Sequence, residues 1–201
     1  MRKLTQDNYV QMPWKNSGGV TTQLAVAPDD ATLDTFDWRI STAHVMTAGP
    51  FSAFPCIDRS LSVLQGAGLI FQIDGGTPFL LTAETSPLPF DGQKHVHAEL
   101  IDGPILDFNV MTRRGRCSHL LNAMRVDART RIIRHADLLF VYCVSGGAVH
   151  CSTAGGKEIC LSVGDAILAD HTDGEYVELC VTGAANVTVT HIKLKETDRV
   201  Q

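Results

Sequence analysis

The feature that most constrains this chain is a recurrence at a spacing of 80 residues. "LSVLQGAGLI" at 61–70 lines up with "VYCVSGGAVH" at 141–150, which places Gly66 on Gly146. "AELIDGPILDFNVM" at 98–111 lines up with "VELCVTGAANVTVTHI" at 177–192, so that Gly103 meets Gly183 and Glu99 meets Glu178 one residue short of the same shift. Leu81 likewise meets Leu161. Matches that fall in order at a nearly constant offset point to a duplicated structural unit. The unit is β in character. Short alternating or apolar runs such as "DWRISTAHV", "HVHAELI", "ICLSVGDAILA" and "NVTVTHIKL" are broken by Gly, Pro and Asp. Many short strands with frequent turns are the pattern of a sandwich or barrel. The expected fold is therefore all-β, with two tandem jelly-roll barrels.

The boundary falls in "TRRGRCSHLLNAMRVDART", an Arg-rich connector, with a short helical piece expected at His119–Met124. The expected organisation is a first barrel over 1–115 with an N-terminal loop segment, and a second over 116–201, packed as one compact unit. At 201 residues and 44% hydrophobic content the chain can fill both cores without covalent staples. A formal net charge of −5 and the lack of any basic block argue against nucleic acid. No run reaches transmembrane length and the first residues lack a signal-peptide pattern, so a cytoplasmic protein that does not engage membranes is expected. The six cysteines form no C-x-x-C pair, and four lie in apolar runs, where Cys acts as a small hydrophobe. They are expected to be reduced.

One stretch does not read as plain strand. "MPWKNSGGVTTQLAVAP" at 12–28 sets a Trp, a Lys, an Asn and two glycines side by side. The Gly pair is turn chemistry. Trp14 and Lys15 are not needed for a turn.

Several blocks together resemble the HutD/Ves family: "MPWKNSGGVTTQLAVAP", "FDWRISTAHV", "AGPFSAFPCIDRSLSVLQGAGL", "FDG" at 90–92 and "DGPILDFNVMTRR". They span nearly all of residues 10–115. The resemblance implies a bicupin fold of the RmlC-like cupin superfamily. It also implies a link to histidine utilisation or to stress responses, without an established reaction. Ser17 stands where the family has the first of three glycines, and Cys56 where it more usually has Gly.

Cupins commonly bind a metal through H-x-H and Glu on one strand and a further His on another. Counted back from Gly66, the Glu place holds Arg59, and the His places fall near Ser52 and Phe54. In the second half Leu139 takes the Glu place and only His135 lies near the His places. A guanidinium is always protonated and cannot ligate a metal. "HVHAE" sets His95, His97 and Glu99 on one strand face, but such residues are ~7 Å apart and do not close on one ion. No metal and no cofactor are expected.

Arg59 inverts the charge of that place, and Arg suits bidentate recognition of a carboxylate. Trp14, Lys15 and Asn16 from the first loop, Arg39 from "FDWRIS", and Asp107, Asn109 and Arg113 on one face of "DFNVMTR" are the other candidates for a ligand-binding site. No G-x-S-x-G or other triad signature is present, so no catalytic residue is assigned. The expectation is a metal-free binder of a small carboxylate metabolite, more a sensor or modulator than an enzyme. The alternative is a cupin enzyme acting on a small acidic metabolite. Cupin sheets commonly pair between chains, so a homodimer is expected by analogy.

Overall fold

The computed structural model describes residues 1–14 and 18–195. Among these, nineteen strands and two single-turn 3-10 helices form. The first strands are β1 (Arg2–Leu4), β2 (Val10–Pro13), β3 (Gly19–Ala27), β4 (Trp38–Val45), β5 (Gly49–Phe51) and β6 (Ile57–Gln65). They are followed by β7 (Leu69–Ile73), β8 (Phe79–Leu81), β9 (Leu88–Asp91), β10 (Val96–Leu100), β11 (Ile105–Arg113) and β12 (Cys117–Val126). The last are β13 (Thr130–Ile133), β14 (Leu138–Gly146), β15 (Val149–Thr153), β16 (Glu158–Leu161), β17 (Ala166–Ala169), β18 (Tyr176–Val181) and β19 (Ala185–Leu194). No helix among the described residues is long and apolar enough to cross a membrane.

The chain divides into two compact units, Tyr9–Ser118 and Met1–Asn8 with the segment from His119 onward. In the first, a six-stranded sheet ordered β2-β3-β4-β11-β6-β9 accompanies a four-stranded sheet ordered β5-β10-β7-β8. Strand alternation sends one side of each sheet inward. Leu61 and Val63 of β6, Phe71 of β7, Val96 and Ala98 of β10 and Ile105 of β11 meet in one core. Phe71 is its centre, with the rings of Phe51, Phe79 and Phe90 at 5.5, 5.6 and 5.5 Å.

The second unit repeats the plan. Its sheets are ordered β1-β17-β14-β19-β12 and β13-β18-β15-β16. The order β4-β11-β6-β9 thus recurs as β12-β19-β14-β17, and β5-β10-β7-β8 as β13-β18-β15-β16. The matched turn glycines have matched backbones, with φ of 96° at Gly66 and 99° at Gly146. A Cβ at Gly66 would lie 2.6 Å from the Pro104 carbonyl oxygen, and one at Gly146 would overlap the Ala184 carbonyl. Only glycine fits either turn, which is why the repeat stays legible there.

The expected helical piece at His119–Met124 is instead part of β12, an edge strand beside β19. Its Leu, Ala and Met favour a helix in isolation, but pairing along a sheet edge outweighs so weak a preference. Cys117, Leu121 and Val126 are buried along it, while Leu120 is exposed.

Cys117, Cys143 and Cys151 are buried and Cys56, Cys160 and Cys180 exposed, all as free thiols. Burial pushes the Cys151 thiol up to about 12. Cys56 has a φ of 61°, in the left-handed region where a Cβ is crowded. This accounts physically for a glycine preference at that place. Cys56→Gly should raise stability by about 0.5–1 kcal/mol, the relief of left-handed strain less the entropy of a new glycine. Urea unfolding with an unchanged m-value would show it, and a lower midpoint would contradict it.

Candidate functional site: a polar pocket in the first barrel

The inner face of the six-stranded sheet changes character along its length. Strand register sorts it into cross-strand rows. Val63, Asp107, Ala43 and Thr21 form one row, and Leu61, Asn109, Ser41 and Gln23 the next. The last contains Arg59, Met111 and Arg39. Val63 and Leu61 belong to the core, whereas Thr21, Ala43, Asp107, Ser41, Asn109, Arg39, Met111 and Arg59 line a cavity of about 500 Å³.

Apolar side chains complete its wall. Trp14 lines it and donates from Nε1 to Thr21 Oγ1 at 2.8 Å. The Trp14 ring lies 3.1 Å from where a Cβ of Gly19 would be, so the glycine admits the ring against the sheet. Phe51 and Phe54, with Met12 and Leu33, line the remainder.

Arg59 is 4% exposed. Its Nη1 donates to the Ser52 carbonyl at 3.1 Å, and its Nε has no partner. The guanidinium sits over the rings of Phe90, Phe54 and Phe51 at 5.0, 5.5 and 5.6 Å. These cation–π contacts offset part of the cost of burying it. Burial still lowers its pKa to about 10, with Asp107 opposing the shift and Arg39 adding to it, so it stays charged at neutral pH. Arg39 is also buried and lowered by burial to about 10. Its Nε donates to Gln23 Oε1 at 2.8 Å.

Asp107 is 2% exposed and its Oδ1 has no partner. Burial raises its carboxyl to about 7 against the opposing pull of Arg59 and a hydrogen bond from the Ala43 backbone. Asn109 Oδ1 is likewise unpartnered. One donor and two acceptors are thus buried without partners around a single cavity. Buried polar atoms are ordinarily satisfied, and each orphan is costly. Their convergence on one cavity makes it the candidate site.

The raised Asp107 carboxyl has a consequence for folding. Between its unfolded value near 4 and about 7 the folded protein holds a proton that the unfolded chain has released. Stability from this group is full below about pH 4 and is lost as pH rises through 7. Asp107→Asn should flatten that decline by up to about 1.4 kcal/mol per pH unit, as read from unfolding at a series of pH values. Parallel profiles for the two proteins would show that Asp107 ionises normally.

The cavity gathers Trp14, Arg39, Arg59, Asp107 and Asn109 of the residues singled out from sequence. Lys15 and Asn16 lie outside the described residues, as does Ser17. Arg113 is placed elsewhere. Its Nε donates to the Phe36 carbonyl at 2.8 Å and its Nη2 to that of Asp34 at 2.7 Å, which ties down the loop before β4. His97 and Glu99 are exposed on β10 while Val96 and Ala98 between them face the core. Among the described residues no three His, Cys, Asp or Glu side chains are grouped so as to hold a metal ion.

Sequence reasoning missed Ser41 and Gln23, the neighbours of Arg39, and the walls from Phe51, Phe54, Met12 and Leu33. Ser41 was within reach of the period of two from Arg39. Phe51 and Phe54 sat in the quoted "GPFSAFP" block. Nothing in the sequence marks Leu33.

The second barrel provides a comparison on the same frame. At the 80-residue offset Leu139 replaces Arg59, Val187 replaces Asp107 and Val189 replaces Asn109, and all three belong to an apolar core. His191 replaces Met111, pairing with Leu139 as Met111 pairs with Arg59. The polar pocket is therefore a property of the side chains in one barrel, not of the fold.

The model of the HutD family matches residues 6–189. An uncharacterized 21.2 kDa protein in the hutC 3' region of Pseudomonas putida is 30% identical over 173 residues, 86% of this chain and 88% of its own length. Protein Ves of Cronobacter sakazakii is 36% identical over 134 residues, 66% of this chain and 70% of its own. The structure of HutD from Pseudomonas fluorescens superposes with a TM-score of 0.79 at 29% identity, covering 96% of this chain and 98% of that one. A cupin 2 conserved barrel domain protein from Leptotrichia buccalis shares the fold, with a TM-score of 0.57 at 10% identity, covering 90% of this chain and 92% of that one.

Proposed function

The chain belongs to the HutD family, and from that premise we propose that its first barrel is a cytoplasmic, metal-free receptor for a small carboxylate metabolite, with a sensing or modulatory role. The observation that carries this reading is the buried Arg59, charged, in a cavity and with a free Nε. A carboxylate oxygen would satisfy that donor and the charge together. Asn109 and Asp107 would orient the rest of the ligand, and Trp14, Phe51 and Phe54 would shield it from water. The names of two relatives, one in a hutC region and one called HutD, support histidine utilisation as the physiological setting.

A thermal-shift screen of carboxylate metabolites tests the proposal, because a ligand that binds only the folded state raises the apparent stability. The expected result is stabilisation by a subset of small carboxylates that Arg59→Met abolishes. A screen without any stabilising carboxylate would defeat it.

A second reading, an enzyme acting on a small acidic metabolite, is favoured by one observation. Asp107, with its carboxyl raised to about 7, faces the cavity and is suited to moving a proton at neutral pH. Prolonged incubation of the protein with any ligand from the screen, followed by NMR, separates the two. Only the enzyme would consume it.

A further inference from the structure

Among the described residues two guanidinium groups line the cavity, each hydrogen-bonded to neutral groups. Arg39 and Arg59 stand in the same cross-strand row with Met111 between them. Their Cα atoms are therefore two strand spacings apart, about 9–10 Å. Both side chains line the cavity and both are buried, at 5% and 4% exposed. Arg39 is hydrogen-bonded to the neutral side chains of Gln23 at 2.8 Å and Ser41 at 3.5 Å. Arg59 bonds a neutral carbonyl and keeps Nε free. Among the described lining residues Asp107 is the one acid. Its electrostatic partner is Arg59. Arg39 makes Arg59 harder to keep charged.

Resting on the carboxylate reading above, we propose that the ligand is a small dicarboxylate, with one carboxylate on Arg59 and the other on Arg39. Such a dianion gives both arginines an anionic partner. A monocarboxylate on Arg59 would leave Arg39 with the neutral partners Gln23 and Ser41. Buried charges are tolerated when they are paired and hydrogen-bonded. The stem of the diacid would cross Met111 and run beside Asn109, within a wall otherwise built from Trp14, Phe51 and Phe54.

Isothermal titration calorimetry at pH 7 and low ionic strength tests this with three matched pairs: succinate against propionate, glutarate against butyrate, and adipate against valerate. Each pair differs by one carboxylate. The expected result is that at least one diacid binds ten or more times tighter than its partner. Arg39→Gln should bring that diacid to within threefold of the monoacid. Arg39→Lys should restore part of the preference, and Arg59→Met should remove both. Monoacids that bind as tightly as every diacid would overturn the dicarboxylate and leave the carboxylate site standing. Absence of binding by all six acids would overturn the dicarboxylate at these lengths, and a negative metabolite screen beside it would remove the carboxylate reading too. If Arg39→Gln does not fold, the wild-type comparison and Arg39→Lys still decide. A preference that survives undiminished in Arg39→Lys counts against a directional contact from Arg39.

Discussion

Replacing Arg59 by Met is expected to weaken binding of a carboxylate ligand at least tenfold while leaving the fold intact. Met keeps much of the aliphatic stem and deletes the guanidinium that sits over Phe51, Phe54 and Phe90. Hydrogen bonds to a charged partner contribute roughly 1.5–3 kcal/mol each, so loss of one alone exceeds the ~1.4 kcal/mol of a tenfold change. The empty protein loses a buried charge and its weak contact with the Ser52 carbonyl at 3.1 Å. Removing a buried charge is commonly neutral or stabilising, provided that no opposite charge is stranded. Asp107 is the group at risk, and it escapes by protonation. Without Arg59 its carboxyl rises further above about 7, so the variant holds that proton to higher pH. The decline in stability with pH, which levels off near pH 7 in wild type, therefore continues to higher pH in the variant. Calorimetric titration of a ligand from the screen reads the first effect, and thermal unfolding from pH 5 to 9 reads the second. Unchanged affinity would end the role assigned to Arg59.

Phe71→Ala is expected to cost about 3–5 kcal/mol of stability, the usual range for removing a buried aromatic ring. Phe71 is fully buried at the middle of β7, opposite Ala98 on one side and Phe79 on the other. Three rings pack on it, two of them close to edge-on, an arrangement worth more than its area alone. The loss is large beside the 5–15 kcal/mol that hold a typical domain together. It also reaches the site, because Phe51 and Phe90 carry the guanidinium of Arg59 on their other side. A cavity behind them would let both rings move, and carboxylate affinity should fall in step. Urea unfolding measures the first effect. A loss under 1 kcal/mol would mean that the cluster repacks freely.

The sequence was most readable where geometry leaves little choice. Gly66 and Gly146 hold turns that admit no Cβ, so they stay matched where Arg59 and Leu139 on the preceding strands do not. The period of two placed Asp107 and Asn109 on one face of β11, and the count back from Gly66 placed Arg59 on the inner face of β6. The same period misled at Arg113. It shares that face, but at the end of β11 its long side chain turns to the carbonyls of Asp34 and Phe36. The segment at His119–Met124 misled for the opposite reason. Its residues favour a helix locally, and only the edge offered by β19 makes them a strand. Leu33 was invisible because a loop carries it to the cavity, and loops leave no periodicity to read.

The paired frames also separate two demands that usually fall on one core. At three matched positions one copy keeps Arg59, Asp107 and Asn109, and the other keeps Leu139, Val187 and Val189. Unmet hydrogen bonds occur in both copies, since Thr188, Thr190 and His191 keep buried atoms without partners in the second. What sets the first copy apart is buried charge, Arg59 and Asp107, where the second has Leu139 and Val187. The second copy is therefore an internal reference, written in the same polypeptide, for what buried charge subtracts from a fold.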